Sequence, residues 1–414
     1  MTDIENGKVT NIILPKSWRL VRLSDLTEEA LPGFAQGGRD SDGIIQLRMN
    51  NVDTCGHLVW NQCIRVPIGK DTVAKYQLLP GDVMFNNTNS TELVGKSALF
   101  KGYLEPVVYS NHFTRIRPRK AVLDSGYLAF WLMTLWQKKI FENLCNRWIG
   151  QSAFKSSKLL ELEIPLPPLT EQERIVSILN EQMAAVEKAR LAAEARLAAA
   201  RAFSAAYLNA VFHSDQARRW PTKNLNEICR DITDGTHVTP EYVANGVPFL
   251  SVKDIREDAI SFDNCRYITR EQYEAFCKRC KCERGDILYT KVGTTGIAKA
   301  VDTDREFSIF VSVALLKLNE DINPSYIAIA LNSPFGRSQA ANLTQGMANR
   351  NLVIQDIKRI VIPLPSFAEQ SVIVSMFNQQ FNAFQRMVNP LTEELGNINA
   401  LPAALLRQAF TGGI

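Results

Sequence analysis

EIPLPPLTEQERIVSILNEQ, from Glu163 to Gln182, returns later in the chain as VIPLPSFAEQSVIVSMFNQQ, from Val361 to Gln380. The second copy begins 198 residues after the first (361 − 163). At this offset Gln172 aligns with Gln370, and most apolar positions of the two copies coincide. A repeat of this kind has to be interpreted before any single element, because it predicts that one structural unit is used twice.

Upstream of the repeat the two halves match more loosely. Gly81-Asp82 corresponds to Gly285-Asp286 at an offset of 204 (285 − 81), so insertions and deletions separate the matching segments. Each half therefore holds a variable globular part followed by a segment of fixed length. We predict an N-terminal tail (1–17), a first globular domain (18–162), a first helical spacer (163–213), a second globular domain (214–360) and a second helical spacer (361–414).

The segment of fixed length has the pattern of a helix. Apolar residues alternate three and four positions apart, and only Arg190 and Ser204 interrupt them: Val176, Leu179, Met183, Val186, Arg190, Ala193, Leu197, Ala200, Ser204, Tyr207 and Val211. Adding 198 gives the matching seam of the second copy: Val374, Phe377, Phe381, Phe384, Val388, Leu391, Leu395, Ile398, Pro402, Leu405 and Ala409. Two such stripes can bury each other as in a coiled coil.

Chain order predicts how the two helices pair. The first helix, from Glu171 to Phe212, is expected to be about 60 Å long and to lead from the first globular domain to the second. The second helix has to return along it, so we expect an antiparallel pair related by a pseudo-twofold axis, with a domain at each end. Pro390 and Pro402 should kink or restart the second helix. The predicted fold is mixed α/β: two similar globular domains separated by an antiparallel pair of long, coiled-coil-like helices.

Composition narrows the class of protein. A chain of 414 residues with 46% hydrophobic and 22% charged residues is typical of a globular protein of two domains. Its net charge of +4 permits nucleic-acid binding without indicating it. No apolar run is long enough for a membrane span, the first residues are polar rather than a secretory signal, and eight cysteines form no dense framework. These features predict a cytoplasmic protein.

The order and duplication of three motifs resemble the specificity subunits of type I restriction–modification systems. The motifs are the two IPLP-x-x-x-EQ segments, the two loops after Gly-Asp, and a glycine turn before each IPLP. They stand at Ile164–Gln172 and Ile362–Gln370, at the loops that begin with Gly81 and Gly285, and at Gly150-Gln151-Ser152 and Gly346-Met347-Ala348-Asn349. The resemblance covers essentially the whole chain.

The resemblance implies a subunit that recognises DNA and has no catalytic residues. Each globular domain would be a target-recognition domain that reads a few base pairs of double-stranded DNA, and the site would be bipartite and asymmetric. The partners implied are two methyltransferase subunits, which modify adenine with S-adenosylmethionine, and ATP-driven restriction subunits. S-adenosylmethionine, ATP and magnesium would be bound by those partners, and no cofactor or metal by this chain.

The loops after Gly-Asp hold the leading candidates for contact with DNA. Five consecutive amide and hydroxyl side chains follow the first: Asn86, Asn87, Thr88, Asn89 and Ser90. Asparagine pairs with adenine through two hydrogen bonds, and serine or threonine serves bases or phosphates. A polar surface turn is the alternative, but the second loop occupies the same place with Thr290, Lys291, Thr294 and Thr295.

Each of the other candidates could instead be a structural group or a solvated surface residue. Long cations could reach phosphate or guanine: Lys96, Lys155, Lys291, Lys299 and Arg350. Polar residues at the glycine turns lie where the backbone could approach a phosphate: Gln151, Ser152 and Asn349. Weaker candidates, because a lone histidine is more often a structural group, are His112, Arg115 and His237.

Two motifs suggest a rival class, a stand-alone zinc or ATP protein that acts on nucleic acid. Gly95-Lys96-Ser97 resembles the end of a phosphate-binding loop, but Ser90 stands where the first glycine is needed. Cys277, Cys280 and Cys282, with Cys265 upstream, have poor spacing for tetrahedral zinc, and reduced cysteines are the alternative. We find no sequence signature of a methyltransferase or a nuclease. A scaffold whose domains bind only proteins is the third interpretation.

Overall fold

The chain forms two compact units in the computed structural model. The model describes residues 3–5, 8–10, 15–346, 350–411 and 413–414, and the side chains of these residues except in 3–5, 8–10 and 203–205. Unit 1 comprises residues 1–193 and 394–414, and unit 2 comprises residues 194–393. Each of the two long helices contributes one part to each unit.

Unit 1 is built from short strands and a few helices. Its described strands are β1 (Asp3–Glu5), β2 (Lys8–Thr10), β3 (Arg19–Arg22), β4 (Thr27–Pro32), β5 (Ile44–Leu47), β6 (Ile64–Val66), β7 (Val83–Asn86), β8 (Thr88–Asn89), β9 (Ser97–Leu99), β10 (Val107–Tyr109), β11 (Phe113–Pro118), β12 (Asn146–Trp148), β13 (Gln151–Ala153) and β14 (Glu163–Leu166). Its helices are α1 (Lys70–Tyr76), α2 (Ser125–Gln137), α3 (Ile140–Leu144), α4 (Ser156–Leu160) and the first part of α5 (Leu169–Phe212).

Unit 2 repeats this arrangement with fewer strands. Its strands, over the described residues, are β15 (Thr222–Asn224), β16 (Cys229–Asp234), β17 (Val247–Leu250), β18 (Arg266–Ile268), β19 (Ile287–Thr290), β20 (Ala298–Ala300), β21 (Ser308–Ile309), β22 (Val313–Leu318) and β23 (Val361–Pro363). Its helices are α6 (Leu225–Ile228), α7 (Arg270–Cys277), α8 (Pro324–Asn332), α9 (Pro334–Leu343), α10 (Ile354–Arg359) and the first part of α11 (Phe367–Ala409).

The central sheets of the two units have the same topology. Four antiparallel strands follow the order β4-β11-β7-β9 in unit 1 and β16-β22-β19-β20 in unit 2. Phe113 pairs with Asn86 in the first sheet, and Val313 pairs with Thr290 in the second. The strand after each Gly-Asp therefore lies in the centre of its sheet, and the internal repeat of the sequence is a repeat of structure.

A tyrosine in the first helix after each central sheet holds the IPLP segment. The hydroxyl of Tyr127 donates to the carbonyl of Pro165 at 2.6 Å, and the hydroxyl of Tyr326 donates to that of Pro363, also at 2.6 Å. Both tyrosines are fully buried. In unit 1 the core around Tyr127 also includes Leu179 from the start of α5. The duplicated IPLP motif thus connects a globular core to the beginning of a long helix.

The apolar seams predicted from the sequence are buried within each unit. No described seam side chain is exposed on either α5 or α11. In unit 1 the start of α5 shares a core with the end of α11, and in unit 2 the end of α5 shares a core with the start of α11. The start of one helix thus packs with the end of the other in each unit, as expected for an antiparallel pair. The seam residue Ser204 has no described side chain.

The second helix does not restart at its prolines. Helix α11 is continuous from Phe367 to Ala409 and includes both Pro390 and Pro402. Buried Val388 and Leu391 flank the first proline, and burial of an apolar seam can offset the hydrogen bond that a proline removes. The expected restart is therefore wrong, because packing outweighs the local preference.

None of the helices described is both long and apolar enough to cross a bilayer.

Candidate nucleic-acid interface

The two Gly-Asp pairs are structural. Asp82 is buried and accepts hydrogen bonds from the Leu79 N–H at 2.7 Å and from Arg117 Nε at 2.7 Å. Asp286 is also buried and accepts from the Glu283 N–H and from Lys317 Nζ, both at 2.8 Å. Each aspartate closes the turn that leads into a central strand. The loop after that strand therefore begins from the same position in both units.

Backbone hydrogen bonds then bring two distant segments together in each unit. In unit 1 the Asn87 N–H donates to the His112 carbonyl at 2.9 Å, and the Asn87 carbonyl accepts from the Phe154 N–H at 2.8 Å. In unit 2 the Lys291 N–H donates to the Ser312 carbonyl at 2.9 Å, and the Lys291 carbonyl accepts from the Leu352 N–H at 2.7 Å. The loop after Gly-Asp thus lies beside the segment that follows the glycine turn.

In unit 1 this contact is a small sheet. Strand β13 pairs with β8, which places Ser152 opposite Asn89, and β13 also pairs with β12 to form a hairpin. The hydroxyls of Thr91 and Ser152 are 2.8 Å apart. The contact in unit 2 is an isolated bridge between Val292 and Asn351, with the hydroxyls of Thr295 and Thr344 2.9 Å apart. We call these two surfaces loop surface 1 and loop surface 2.

Most of the asparagine run of unit 1 is inside the protein. Asn86, Asn87 and Asn89 are 0%, 8% and 9% exposed. Asn86 Nδ2 donates to the carbonyl of His112 at 3.0 Å, and Asn89 Nδ2 donates to Asn86 Oδ1 at 2.7 Å. Asn87 Nδ2 donates to the hydroxyl of Thr114 at 3.0 Å. Direct base contact by these three amides, as the sequence suggested, is not compatible with their burial in this conformation. They determine the shape of the loop.

Two predicted cations of unit 1 are buried in the same way. Lys96 Nζ donates to the carbonyl of Val52, and burial lowers the pKa of Lys96. Arg115 is 2% exposed and bonds to the Gln77 carbonyl at 2.9 Å and to the carboxylate of Glu29. Neither side chain is available to a phosphate, so both predictions are corrected to structural roles. The same burial rules out a phosphate-binding loop at Lys96.

Other predicted residues of unit 1 lie at or near the surface. Gln151 and Lys155 are exposed, and Thr88, Ser90 and His112 are partly exposed, whereas Ser152 is buried. Burial, with a smaller contribution from the charge of Arg48, lowers the pKa of His112. Gly150 has φ of +77° and open space around its α-carbon.

Sequence reasoning missed three exposed residues at the tip of the β12–β13 hairpin. They are Arg147, Trp148 and Ile149, and the last two are 60% and 105% exposed. Trp148 and Ile149 are apolar, and none of the three belongs to the polar runs and glycine turns from which DNA contacts are predicted.

In unit 2 several side chains converge on one buried carboxylate. Lys291 Nζ lies 3.0 Å from Asp234 Oδ2, and His237 Nε2 and Arg279 Nη2 lie 3.1 Å and 2.7 Å from Asp234 Oδ1. Burial alone would raise the pKa of Asp234, but hydrogen bonds from Lys291 and His237 more than offset it, so the pKa is lowered. Lys291 is 6% exposed and acts as a structural ion pair rather than a free cation. The sequence predicted Lys291 and His237 but missed Asp234 and Arg279.

The remaining predicted residues of unit 2 are divided between interior and surface. Thr290 is fully buried, and its hydroxyl accepts from the Ile297 N–H at 2.8 Å. Lys299 donates to the Asp258 carbonyl at 3.0 Å, and this hydrogen bond holds its side chain against the protein. Thr294 and Arg350 are exposed and Thr295 is partly exposed, whereas Asn349 lies outside the described residues.

The cysteine cluster belongs to apolar cores. Cys265, Cys280 and Cys282 pack with Leu250 and neighbouring apolar residues, and Cys277 packs beside Phe249. A hydrogen bond with Cys280, together with burial, raises the pKa of Cys282. Within the described ranges, no three histidine, cysteine, aspartate or glutamate side chains are grouped so that they could hold a metal ion.

Comparison with known proteins identifies one family over most of the chain. The family model for the type I restriction modification DNA specificity domain matches residues 43–194 and again residues 217–395. A provisionally named type I restriction enzyme specificity subunit, MjaX, of Methanocaldococcus jannaschii is 32% identical over 43% of this chain and 42% of that protein. The EcoKI specificity subunit of Escherichia coli is 25% identical over 96% of this chain and 89% of that protein.

Solved structures share the fold. A chain from a study of assembly and conformational transition of the type I restriction–modification system has a TM-score of 0.73 and 21% identity, and the match covers 97% of this chain and 99% of that chain. The HsdS subunit from Thermoanaerobacter tengcongensis has a TM-score of 0.51 and 21% identity, over 98% of this chain and 99% of that one.

Proposed function

The chain belongs to the family of DNA specificity subunits of type I restriction–modification systems, and we propose that its two loop surfaces each read one part of a bipartite duplex site. One observation carries this proposal. In both units the same backbone hydrogen bonds, at Asn87 and Lys291, hold the loop after Gly-Asp beside the segment before IPLP. A surface kept by the backbone while its side chains change is suited to reading different sequences.

The difference between the side chains supports an asymmetric site. Loop surface 1 offers an exposed amide and cations, namely Gln151, Arg147 and Lys155. Loop surface 2 offers a hydroxyl, a cation and an imidazole, namely Thr294, Arg350 and His237. Hydrogen-bonding groups distinguish bases in the major groove, and exposed cations bind phosphates. Two surfaces of different chemistry would therefore read two different half-sites.

The chain is a non-catalytic subunit of a multi-subunit system, and we propose that its partners are methyltransferase and restriction subunits. S-adenosylmethionine, ATP and magnesium would be bound by those subunits. The best surface for a methyltransferase subunit is an apolar groove of about 410 Å³ in unit 2, between the end of α5 and the start of α11. Its lining includes Val211, Trp220, Val372, Ile373, Met376 and Phe377. Val372 and Met376 are 57% and 53% exposed, and exposed apolar patches of this kind mark protein contacts.

Two experiments test the proposal. Methylome sequencing of a host that carries the gene and its partner genes, compared with a host that lacks this gene, should reveal one bipartite motif that depends on the gene. The purified complex should bind duplexes with that motif, with an affinity that falls steeply as salt rises. Absence of any gene-dependent motif would contradict the proposal.

The partner surface is tested separately. Met376→Asp should reduce co-purification of the methyltransferase subunit, because a carboxylate in an apolar contact is costly to desolvate. Gln379→Asp adds the same charge at an exposed position three residues farther along α11 and is the control.

A further inference from the structure

We infer that Trp148 and Ile149 form an apolar wedge that enters the duplex at the half-site read by unit 1 and unstacks a base step there. This inference rests on the proposed function and adds a mode of recognition to it: deformation of the DNA by apolar side chains beside polar base readout. It is confined to unit 1, because residues 347–349 at the corresponding turn of unit 2 lie outside the described part of the chain.

The tip of the hairpin is exposed and apolar. Trp148 ends β12 and pairs with Gln151 at the start of β13, so that Ile149 and Gly150 alone form the turn. Trp148 is 60% exposed and Ile149 is 105% exposed. Two consecutive large apolar side chains at the end of a two-stranded ribbon expose hydrophobic surface to water. Burial of this surface against a binding partner is therefore favourable.

The base of the hairpin is rigidly held, so the tip is a fixed projection. Ser152 is fully buried, and its hydroxyl lies 2.8 Å from that of Thr91. Phe154, just after β13, is 2% exposed, and its ring packs against those of Phe85 and Phe141 at centroid distances of 5.8 Å and 5.1 Å. A wedge needs such support, because a loosely held tip would yield instead of separating the bases.

Three features favour nucleic acid as the occupant of this tip. The hairpin is paired through β13 with β8 in loop surface 1, the surface proposed to read bases. Exposed Arg147 directly precedes the apolar pair, and exposed Lys155 follows β13 and Phe154, so both cations would contact phosphates near the hairpin. Isoleucine is among the side chains that minor-groove proteins insert between base steps, and an indole stacks on a base.

Gly150 allows this approach. Its φ of +77° is in the left-handed region, and a β-carbon added there would meet nothing within 4 Å. The turn thus combines a backbone conformation that favours glycine with free space around it. The duplex could come close to the backbone between Ile149 and Gln151 without a steric clash from the protein.

The test uses the full chain co-purified with its partner subunits and a duplex that carries the motif found by methylome sequencing. 2-Aminopurine is placed in turn at each position of the half-site read by unit 1 other than the adenine that is methylated, because methyltransferases flip that base out of the stack. We expect the unaltered complex to increase 2-aminopurine fluorescence at one step, as unstacking does. The Trp148→Ala and Ile149→Ala double variant should lose this increase and bind the duplex about 10- to 100-fold more weakly, the range for loss of a stacked aromatic contact.

Controls separate the wedge from other effects. Leu104→Ala removes a fully exposed apolar side chain elsewhere in unit 1 and should change neither fluorescence nor affinity. Trp148→Phe keeps an aromatic ring and should retain most of the fluorescence increase. Because both tip residues are exposed, the double variant should unfold at the same denaturant concentration as the unaltered chain.

Each result decides the matter. An unaltered complex that binds the duplex, with a double variant that behaves identically, would overturn the wedge alone. A double variant that loses co-purifying subunits but keeps the fluorescence signal would assign the tip to a protein contact instead and also overturn it. Failure of the unaltered complex to bind any duplex would overturn the proposed function and the wedge together.

Discussion

The hydrogen bonds of Gln172 and Gln370 explain why the two copies of the repeat share a glutamine at the start of each long helix. Gln172 is fully buried: its Oε1 accepts from the Asp124 N–H at 2.8 Å, and its Nε2 donates to the carbonyls of Val122 and Pro167 at 3.0 Å and 2.9 Å. Replacement by alanine leaves these backbone groups without partners. We expect Gln172→Ala to lower the free energy of unfolding by about 2–4 kcal/mol, measured by urea denaturation of the purified chain.

Two further variants distinguish the loss of these buried hydrogen bonds from a general loss of side-chain contacts. Gln370 makes the equivalent bonds to the Asn323 N–H and the Pro365 carbonyl, both at 2.9 Å, so Gln370→Ala should have a similar effect. Gln380→Ala changes an exposed glutamine of α11 and should shift stability by less than about 0.5 kcal/mol. Equal effects at Gln172 and Gln380 would show that the buried hydrogen bonds do not matter.

Asp234 provides a test of the buried ion pair. Asp234→Asn removes the negative charge beside Lys291, whose side chain is 8% exposed. At pH 7 the variant should be less stable by about 3 kcal/mol, the scale for breaking a buried pair. Because the pKa of Asp234 is lowered in the folded state, its contribution is present above the unfolded pKa of about 4 and is lost as the pH falls through the folded value.

Urea denaturation at a series of pH values checks this sign. The difference in unfolding free energy between the unaltered chain and Asp234→Asn should shrink steadily as the solution is acidified below pH about 4. A difference that stays constant down to strongly acidic pH would mean that the charge of Asp234 contributes nothing.

At the scale of single residues, the sequence predicted where the loops are but not which side chains they expose. Asn86 and Asn89 were chosen because amides can bond to bases, and the same capacity lets them bond to each other and to the backbone of His112. Which use prevails depends on contacts with residues distant in the chain, such as Phe154. Local composition does not contain that information, and it also gave no reason to select Trp148.

At the scale of elements, the long helices followed from their pattern. An apolar residue every three or four positions is a local signal that lasts over the whole of α5 and α11, and every seam side chain that the structure describes is buried or partly buried. The restart expected at the prolines is wrong because a local penalty does not include the packing of Phe377, Phe381 and Val388, all of which face the interior at least partly.

Pro390 should consequently be a site where the helix can be stabilised. It is exposed within α11, so its replacement removes little packing while restoring a backbone N–H. Proline costs roughly 3 kcal/mol relative to alanine in a helix interior, and we expect Pro390→Ala to raise the unfolding free energy by about 1–3 kcal/mol. Urea denaturation and helical circular dichroism measure this.

Pro402 is the comparison for that prediction. It is a partly buried seam residue, so alanine there restores the N–H but also leaves a gap, and the gain should be smaller. A Pro390→Ala variant no more stable than the parent chain would indicate that α11 has adapted fully to the proline.

At the scale of the whole molecule, the internal repeat and the mixed α/β architecture were predicted because both depend on duplication, which is visible in the sequence alone. The antiparallel arrangement predicted that the end of α11 lies near the first globular domain, but not that it completes the core of unit 1. The Phe410 ring lies 5.0 Å from the ring of Tyr127 and 5.0 Å from that of Trp131. Residues 394–414 are therefore a structural part of unit 1.

This shared core determines how specificity can be exchanged between subunits. Replacing residues 18–162 by those of a related specificity subunit, while Tyr127 and Trp131 are kept to pack on Phe410, should change one half-site of the methylated motif and leave the other intact. The reason is that loop surface 1 is built entirely from residues before 163, whereas loop surface 2, with His237, is built from residues between 222 and 360. Methylome sequencing of hosts that carry the chimera and its reciprocal, with residues 222–360 exchanged, reads both half-sites directly. A chimera that is active but changes both half-sites together would show that the two units do not read DNA independently.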